Sequence, residues 1–522
     1  METGRLAALA RPLAVTGVGL AAALGGGLLY VPGGVAQGSG PQAPAAYLLA
    51  GGGVACLAVA FAVAAAGPFG DRGPVYGAVA RVWGSRPLGA LAAWPALAGY
   101  VALLALLAEW LGRLAPLPAG TGAYVDGTLG APTGLAAVLG VTSLSPLVAD
   151  GLAVGVCALA LGVHLLGVRR VALAVAVPAW GVVVVATALL GAAFVPGVGE
   201  FVAGNFDPLY PTSGLRRAPV RALVGGTGAA LFAFVGVEAA AYAVADASED
   251  GEVDAVGGAP VLAAAVACGV VSTTAFVALG IVDWTRLNLA DIPAADAFAA
   301  YLPVEPVGLT VAVSVVAGAA ALVAIGVPAS RTLAGLAELF PPLSRGPGDP
   351  PLASLLVVYG AAAALAVADL VASALYVAAP GLALSYLAVA VTVAAMPSRR
   401  PDLWAACPVR PTGRAGRLAL AGAVAVAASL LGVALARDPA TVLGLSLHRV
   451  SLSVFDFELV SDPLGGHVPA LVAWQLLGVG LYVVLRDYRE STGVRLPPLG
   501  DSDGPEPTDP AGGDDAERVA EP

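Results

Sequence analysis

The stretch LFAFVGVEAAAY, residues 231–242, lies inside a long apolar segment and carries one glutamate, Glu238. The flanking residues put Glu238 near the depth where hydrocarbon is expected. A charge at that depth costs on the order of 3 kcal/mol or more, so such a residue faces a cavity or a partner and marks function. Gly236 stands two residues earlier, where a helix can lose its regular hydrogen bonds, and Phe232 and Phe234 flank that weak point. The first apolar segment has a similar feature. There ALGGGLLYVPGG, residues 23–34, sets Gly25, Gly26 and Gly27 in mid-segment, with Pro32, Gly33 and Gly34 after them. Two hydrophobic segments interrupted at corresponding positions of two halves point to a solute site at the bilayer midplane.

Composition supports this setting. The 522-residue chain is 58% hydrophobic and 11% charged, with a mean hydropathy of +0.87. A soluble domain carries roughly a quarter charged residues. Many stretches reach the roughly 20 apolar residues that a membrane-crossing helix needs. Strand-type alternation is missing from the pattern, which argues against an outer-membrane barrel. All 25 basic residues are arginine, and acids outnumber them, 35 to 25. Cys56, Cys157, Cys268 and Cys407 form no CxxC pair, and the histidines, His164, His448 and His467, are scattered. Neither a disulfide framework nor a metal centre is indicated, and no metal site is expected.

Twelve apolar spans are expected, near 12–37, 45–66, 88–111, 149–167, 171–195, 221–246, 258–283, 305–329, 352–370, 372–396, 415–436 and 468–486. The weakly apolar stretch 130–147 is either a short re-entrant or surface helix or a thirteenth span. Arg5 and Arg11 precede a first segment without a small-residue cleavage site, so it is expected to be a retained helix. With both termini in the cytoplasm, eighteen arginines fall on the inner side and seven on the outer. The positive-inside rule favours that orientation in the cytoplasmic membrane. The domain reading is a membrane domain over 1–489 and an acidic tail over 490–522. From Glu490 onward the tail holds nine acids and two arginines, a net −7 of the chain's −10. Such a segment cannot bury an apolar face and is expected to be disordered.

Several residues could carry chemistry. Unwinding at Gly25–Gly27 frees backbone groups, and a helix N-terminus aimed into a cavity attracts a carboxylate. Close packing of helices through small residues is the alternative. Phe232 can stack on a bound solute and close a site from one side, or it packs in the core. Glu238 either carries a proton or hydrogen-bonds to the broken helix and holds it in place. Tyr100 has a hydroxyl that needs a partner. Ser272, Thr273 and Thr274 are hydroxyls that bond backbone carbonyls or line a site, and Asp369 lies at a span end. No phosphate-binding loop, nucleophile elbow or paired metal-ligand motif occurs, so an enzyme is not expected. No nucleic-acid partner is expected either.

Five motifs, in order, resemble the amino acid–polyamine–organocation permeases. The glycines at 25–27 with Pro32 and Gly33 are similar to that family's G-x-G-[IV]-F and Pro-Gly pattern. RGPVYGAVARVWGSRPLGALAAW (72–94) resembles its cytoplasmic loop and third helix. FAFVGVE (232–238) resembles the F-x-F-x-G-x-E core of its sixth helix. ASRTLAGLAELFPPLSR (329–345) and RRPDLWAACPVRP (399–411) resemble the end of its eighth helix and the loop after its tenth.

The resemblance covers about residues 12–486. It implies an all-α polytopic membrane protein with about twelve helices in the LeuT-type fold. Five-helix inverted repeats would occupy about 12–195 and 221–396, the first and sixth helices would be broken, and two peripheral helices would lie in 415–486. It also implies a secondary transporter for an amino acid or related organic amine. The substrate carboxylate would meet amides at Gly25, Gly26 and Gly27. Its amino group would face carbonyls near Phe232, Ala233, Phe234, Val235 and Gly236, with Phe232 as a gating aromatic, Tyr100 lining the site and Glu238 in coupling.

Departures from the family pattern are SEDGEVDAVGG (248–258) after the sixth helix and Glu338-Leu339 where Asp-Gly is usual. The fifth-helix lysine that some members use for proton coupling is missing, because the chain has no lysine. Na⁺, H⁺ or exchange all stay open as the coupling mode. No other cofactor is expected, and the oligomeric state is not read from the sequence. A carrier of another small solute, or a sensor that binds without transport, are the alternatives.

Overall fold

In the computed structural model the described residues are 2–27, 35–36, 39–69, 73–114, 117–118, 132–133, 146–195, 198, 201–209, 219–248, 256–284, 306–337, 339, 351–436, 453–454, 457–458 and 467–492. They are overwhelmingly helical. The first half contains α1 (Glu2–Gly27), α2 (Ala43–Ala66), the short α3 (Ala78–Trp83), α4 (Arg86–Leu114), α5 (Pro146–His164) and α6 (Val168–Ala192). The second contains α7 (Pro219–Ala230), α8 (Ala239–Ser248), α9 (Ala259–Ile281), α10 (Pro306–Leu336), α11 (Leu352–Val367) and α12 (Val371–Arg399). After these come α13 (Pro401–Ala406), α14 (Gly413–Ala436) and α15 (His467–Thr492). Two antiparallel pairs of two-residue strands, Leu117–Pro118 with Pro132–Thr133 and Ser453–Val454 with Phe457–Glu458, are the described exceptions.

Ten helices among the described residues are long and apolar enough to cross a membrane, so the chain is a polytopic helical membrane protein. The segments Arg11–Gly25 and Leu352–Val367 are apolar but shorter. Most of the stretch 130–147 and all of 493–522 lie outside the described residues, as do residues 28–34 with Pro32, Gly33 and Gly34.

Enclosure varies steeply among the helices. In the segment Ala222–Ala245, which joins α7 to α8, 89% of the apolar window is buried, against 28% in α14 and none in α15. The stretch with the lone glutamate is therefore the most enclosed part of the bundle, and the last helices line its outside. Small residues allow this density, because in lipid close packing replaces the hydrophobic effect as the force between helices. A methyl on Gly19 of α1 would sit 2.8 Å from the Val237 carbonyl oxygen. One on Gly381 of α12 would sit 2.8 Å from that of Pro95, and one on Gly112 of α4 2.7 Å from that of Ala149.

The helix contacts follow a pattern. The pairs α2–α9, α4–α10 and α5–α11 pack along each other, as do α1–α9 and α7/α8–α2. So do α5–α10 and α11–α4, and α12–α2 and α6–α9. A further device fastens one end of the bundle. A π-helical turn, Gly73–Gly77, leads into α3, whose Trp83 donates its indole N–H to Thr392 Oγ1 of α12 at 2.9 Å. The Arg399 guanidinium covers the Trp83 ring at 4.1 Å. Arg400 donates to the Arg81 carbonyl at 3.1 Å and pairs with Asp402 at 2.7 Å. Asp402 lies outside the spans, and that pairing holds its carboxyl below the usual carboxylate range.

Candidate functional site

The break beside Gly236 is present, and its cause is local. The α-helical ladder of α7 ends at Ala230, and Leu231–Phe234 tighten into a 3₁₀ turn. Val235 is extended, with φ −62° and ψ 131°, and Gly236 has φ +107°. A side chain there would be strained, and it would also meet the backbone of α1, 2.9 Å from the Ala22 carbonyl carbon and 3.0 Å from its oxygen. The reversal frees the Gly236 N–H from the helical ladder. Glu238 Oε2 accepts that N–H at 2.9 Å, and α8 resumes at Ala239. A hydrogen bond from a neutral donor to a carboxylate is worth about 1.5–3 kcal/mol. Glu238 thus braces the broken helix. The bond leaves its other oxygen free to act elsewhere, so bracing and proton carriage are compatible.

Glu238 is 5% exposed. The hydroxyls of Tyr100 from α4 and Tyr386 from α12 face its carboxyl group. Both stop short of hydrogen-bond geometry. Glu238 Oε1, Tyr100 Oη and Tyr386 Oη are each buried without a hydrogen-bond partner. Three such atoms at one place are costly, because each forfeits its hydration. Tyr242, one turn after Glu238 on α8, stands edge-on to Tyr100 with ring centroids 6.4 Å apart. Its hydroxyl lies 2.9 Å from Thr332 Oγ1 of α10. Tyr386 in turn meets Phe61 of α2 edge-on at 5.4 Å. A cavity of about 20 Å³ adjoins Glu238, Tyr386 and Phe234. By size it admits one water.

The other expected site residues divide. Phe234 is buried and points toward α2, where its Cζ lies 3.3 Å from a methyl placed on Gly51. Ala233 is buried beside it, whereas Phe232 and Val235 are half-buried. The Phe232 and Phe234 carbonyls accept the N–H groups of Val235 (3.3 Å) and Val237 (3.2 Å), so the turn itself uses one lone pair of each.

The first-segment expectation falls partly outside the described residues, because residues 28–34 lie beyond them. Gly25, Gly26 and Gly27 are the last described residues of α1 and are α-helical. Gly25 packs on Ala321 of α10, with the Ala317 carbonyl oxygen 3.0 Å from a methyl placed on it, so the small-residue alternative holds at this position. In α9, Thr274 Oγ1 bonds its own Val270 carbonyl at 2.7 Å, Ser272 lies 3.9 Å from Cys268 Sγ, and Thr273 is exposed. Asp369 sits in the turn between α11 and α12 with φ 55°, outside the bundle's interior.

Sequence reasoning named Tyr100 but missed Tyr242, Tyr386 and Thr332. Tyr242 was reachable, since residues four apart on a helix share a face and Glu238 is four before it. Tyr386 and Thr332 carry no local signal and reach the site only through the packing of α12 and α10. No protein-family model matches the chain, and no characterised protein matches it.

Proposed function

We propose that the protein is a secondary transporter that moves an amino acid or related organic amine across the cytoplasmic membrane by alternating access, with both termini in the cytoplasm. One observation carries this reading. The most enclosed of the ten candidate spans is broken at its centre, and the break holds a buried carboxylate with one unpartnered oxygen facing two unpartnered tyrosine hydroxyls. Irregular backbone at membrane depth is tolerated only where protein encloses it or a cavity meets it. Intramembrane carboxylates of this kind line substrate and proton routes.

The contact pattern supports the repeat architecture. Exchanging each of the first five spans with the span five later maps α2–α9, α4–α10 and α5–α11 onto themselves. The same exchange turns α1–α9 into α7/α8–α2, α5–α10 into α11–α4, and α12–α2 into α6–α9. The mapping is partial, since α1 packs more extensively on α6 and α10 than the broken helix packs on α12 and α4. Repeats of five spans have opposite orientation in the bilayer, and a solute site lies between them. On this reading the short apolar helices α1 and α11 complete twelve spans, and α14 and α15 are peripheral.

Glu238 is the only acid at the break, and no lysine or arginine faces it among the described residues. A substrate that brings its own ammonium group compensates that carboxylate, which favours amines and amino acids over acidic solutes. Uptake of pooled radiolabelled amino acids and short diamines into proteoliposomes, with imposed Na⁺ and H⁺ gradients, tests the reading. Accumulation of one chemical class that Glu238→Gln alters supports it. A folded protein that accumulates none of them under any gradient overturns it.

A further inference from the structure

The Tyr242–Thr332 pair has no part in bracing the break, yet it lies directly beyond Glu238. The polar atoms form a line. The Glu238 carboxyl faces the Tyr100 hydroxyl, the Tyr100 hydroxyl also faces Tyr242, and Tyr242 Oη is 2.9 Å from Thr332 Oγ1. The one closed link is the last, and both open links involve Tyr100, whose hydroxyl is buried without a partner. Thr332 sits one turn before the end of α10, next to Arg331. A methyl on Gly73, the first residue of the π-helical turn, would lie 3.5 Å from the Tyr242 ring and 3.7 Å from the Arg331 carbonyl oxygen. That end of the bundle carries Arg81, Arg86, Arg331, Arg399 and Arg400, the arginine-rich side that the positive-inside rule assigns to the cytoplasm.

The groups that face the Glu238 carboxyl are few. Tyr100 comes from α4, Tyr386 from α12 and Tyr242 from its own helix. From α2 and α14 come only apolar side chains, Val54, Leu57, Ala58, Phe61, Val426 and Leu430. α1 meets the break through the Ala22 backbone, and α10 contributes Thr332 to Tyr242. No cation is among them. A carboxylate so enclosed takes a counter-charge, and a row of hydroxyls leads from it toward the arginine-rich end of the bundle.

We propose that Tyr100, Tyr242 and Thr332 form a hydroxyl relay that exchanges a proton between Glu238 and the cytoplasm. This rests on the transporter reading and makes the coupling ion a proton. In the release direction Glu238 gives its carboxyl proton to Tyr100 Oη as Tyr100 passes its own hydroxyl proton to Tyr242. Tyr242 passes its proton to Thr332, and Thr332 passes one to water at the end of α10. One proton leaves the carboxyl and one enters the water. Each hydroxyl ends neutral, and rotation of the three O–H bonds resets the row. Tyr100 is the switch, since its hydroxyl can bond Glu238 or Tyr242.

The test is a pH jump on the purified full-length protein in vesicles, followed by infrared spectroscopy of the carboxyl stretch that Glu238→Gln removes. This readout needs no substrate. Tyr242→Phe keeps the edge-on ring contact and Thr332→Val keeps the shape, so both variants are expected to fold. Each is expected to slow the Glu238 proton exchange by about tenfold or more, the scale on which a positioned proton-transfer group acts. Parent rates in both variants overturn the relay, as does a spectrum with no band that Glu238→Gln removes. A second arm uses the pooled radiolabelled amino acids and diamines with a trapped pH dye. Solute flux without proton movement in the parent overturns the relay and leaves the transporter reading standing. Proton exchange slowed in the variants, with no solute flux in the parent, supports the relay and sinks that reading instead.

Discussion

Gly25 in α1 and Gly236 in the broken helix send the same signal in sequence, glycine within an apolar span, and differ in local backbone: Gly25 is α-helical, whereas Gly236 has φ +107°. At Gly25 the backbone is helical, and α10 packs directly on it through Ala321 and the Ala317 carbonyl. At Gly236 the chain turns to φ +107°, because a carboxylate two residues later accepts the freed amide and α1 presses its backbone against the turn. Glycine alone therefore marks close approach. Glycine with a nearby acceptor for the amide it releases marks a break.

The largest effect is expected where both constraints meet. Gly236→Ala combines a left-handed backbone with a clash against the Ala22 backbone, and is expected to cost about 4 kcal/mol in thermal unfolding. Ala22→Gly is expected to relieve it only in part, because the Ala22 Cβ at 2.8 Å is backed by its carbonyl carbon and oxygen at 2.9 and 3.0 Å. A stable Gly236→Ala variant would dissolve the contrast. Next comes Glu238→Ala, which strands the Gly236 amide and is expected to cost about 3 kcal/mol. Glu238→Gln keeps an acceptor and is expected to lose about 1 kcal/mol, and the difference between the two measures the brace. Gly25→Ala is expected to cost about 2 kcal/mol through overlap with Ala321. Adding Ala321→Gly is expected to recover most of this loss, more than Ala22→Gly recovers at Gly236, since by far the nearest obstruction is the Ala321 side chain. Smallest is Thr274→Val, expected to change stability by less than about 0.5 kcal/mol, because that hydroxyl only bonds back to its own helix.

The same contrast explains what sequence could disclose. The spans were legible because an apolar run of about 20 residues has few other uses. Gly236 and Glu238 were legible because a charge at that depth needs a reason. The fate of Gly25–Gly27 was not, since it depends on which surface α10 turns toward α1, a property of alanines that look alike in sequence. Tyr386 and Thr332 were hidden for the same reason, as each is one of several polar residues on its helix, and only packing selects it for Glu238 or Tyr242. The acidic stretch after Glu490 remains a reading of composition, and residues 493–522 lie outside the described set.

The central claim is that the broken helix borders a site opened alternately to each side of the membrane. Replace Cys56, Cys157, Cys268 and Cys407, introduce Val235→Cys at the half-buried end of the turn, and apply a membrane-impermeant thiol reagent to either face of sealed vesicles. The account predicts labelling from one face, a change of face when the proton gradient is reversed, and protection by the amino acid or amine that accumulates. Labelling that is equal from both faces, or absent from both under every gradient, would contradict it.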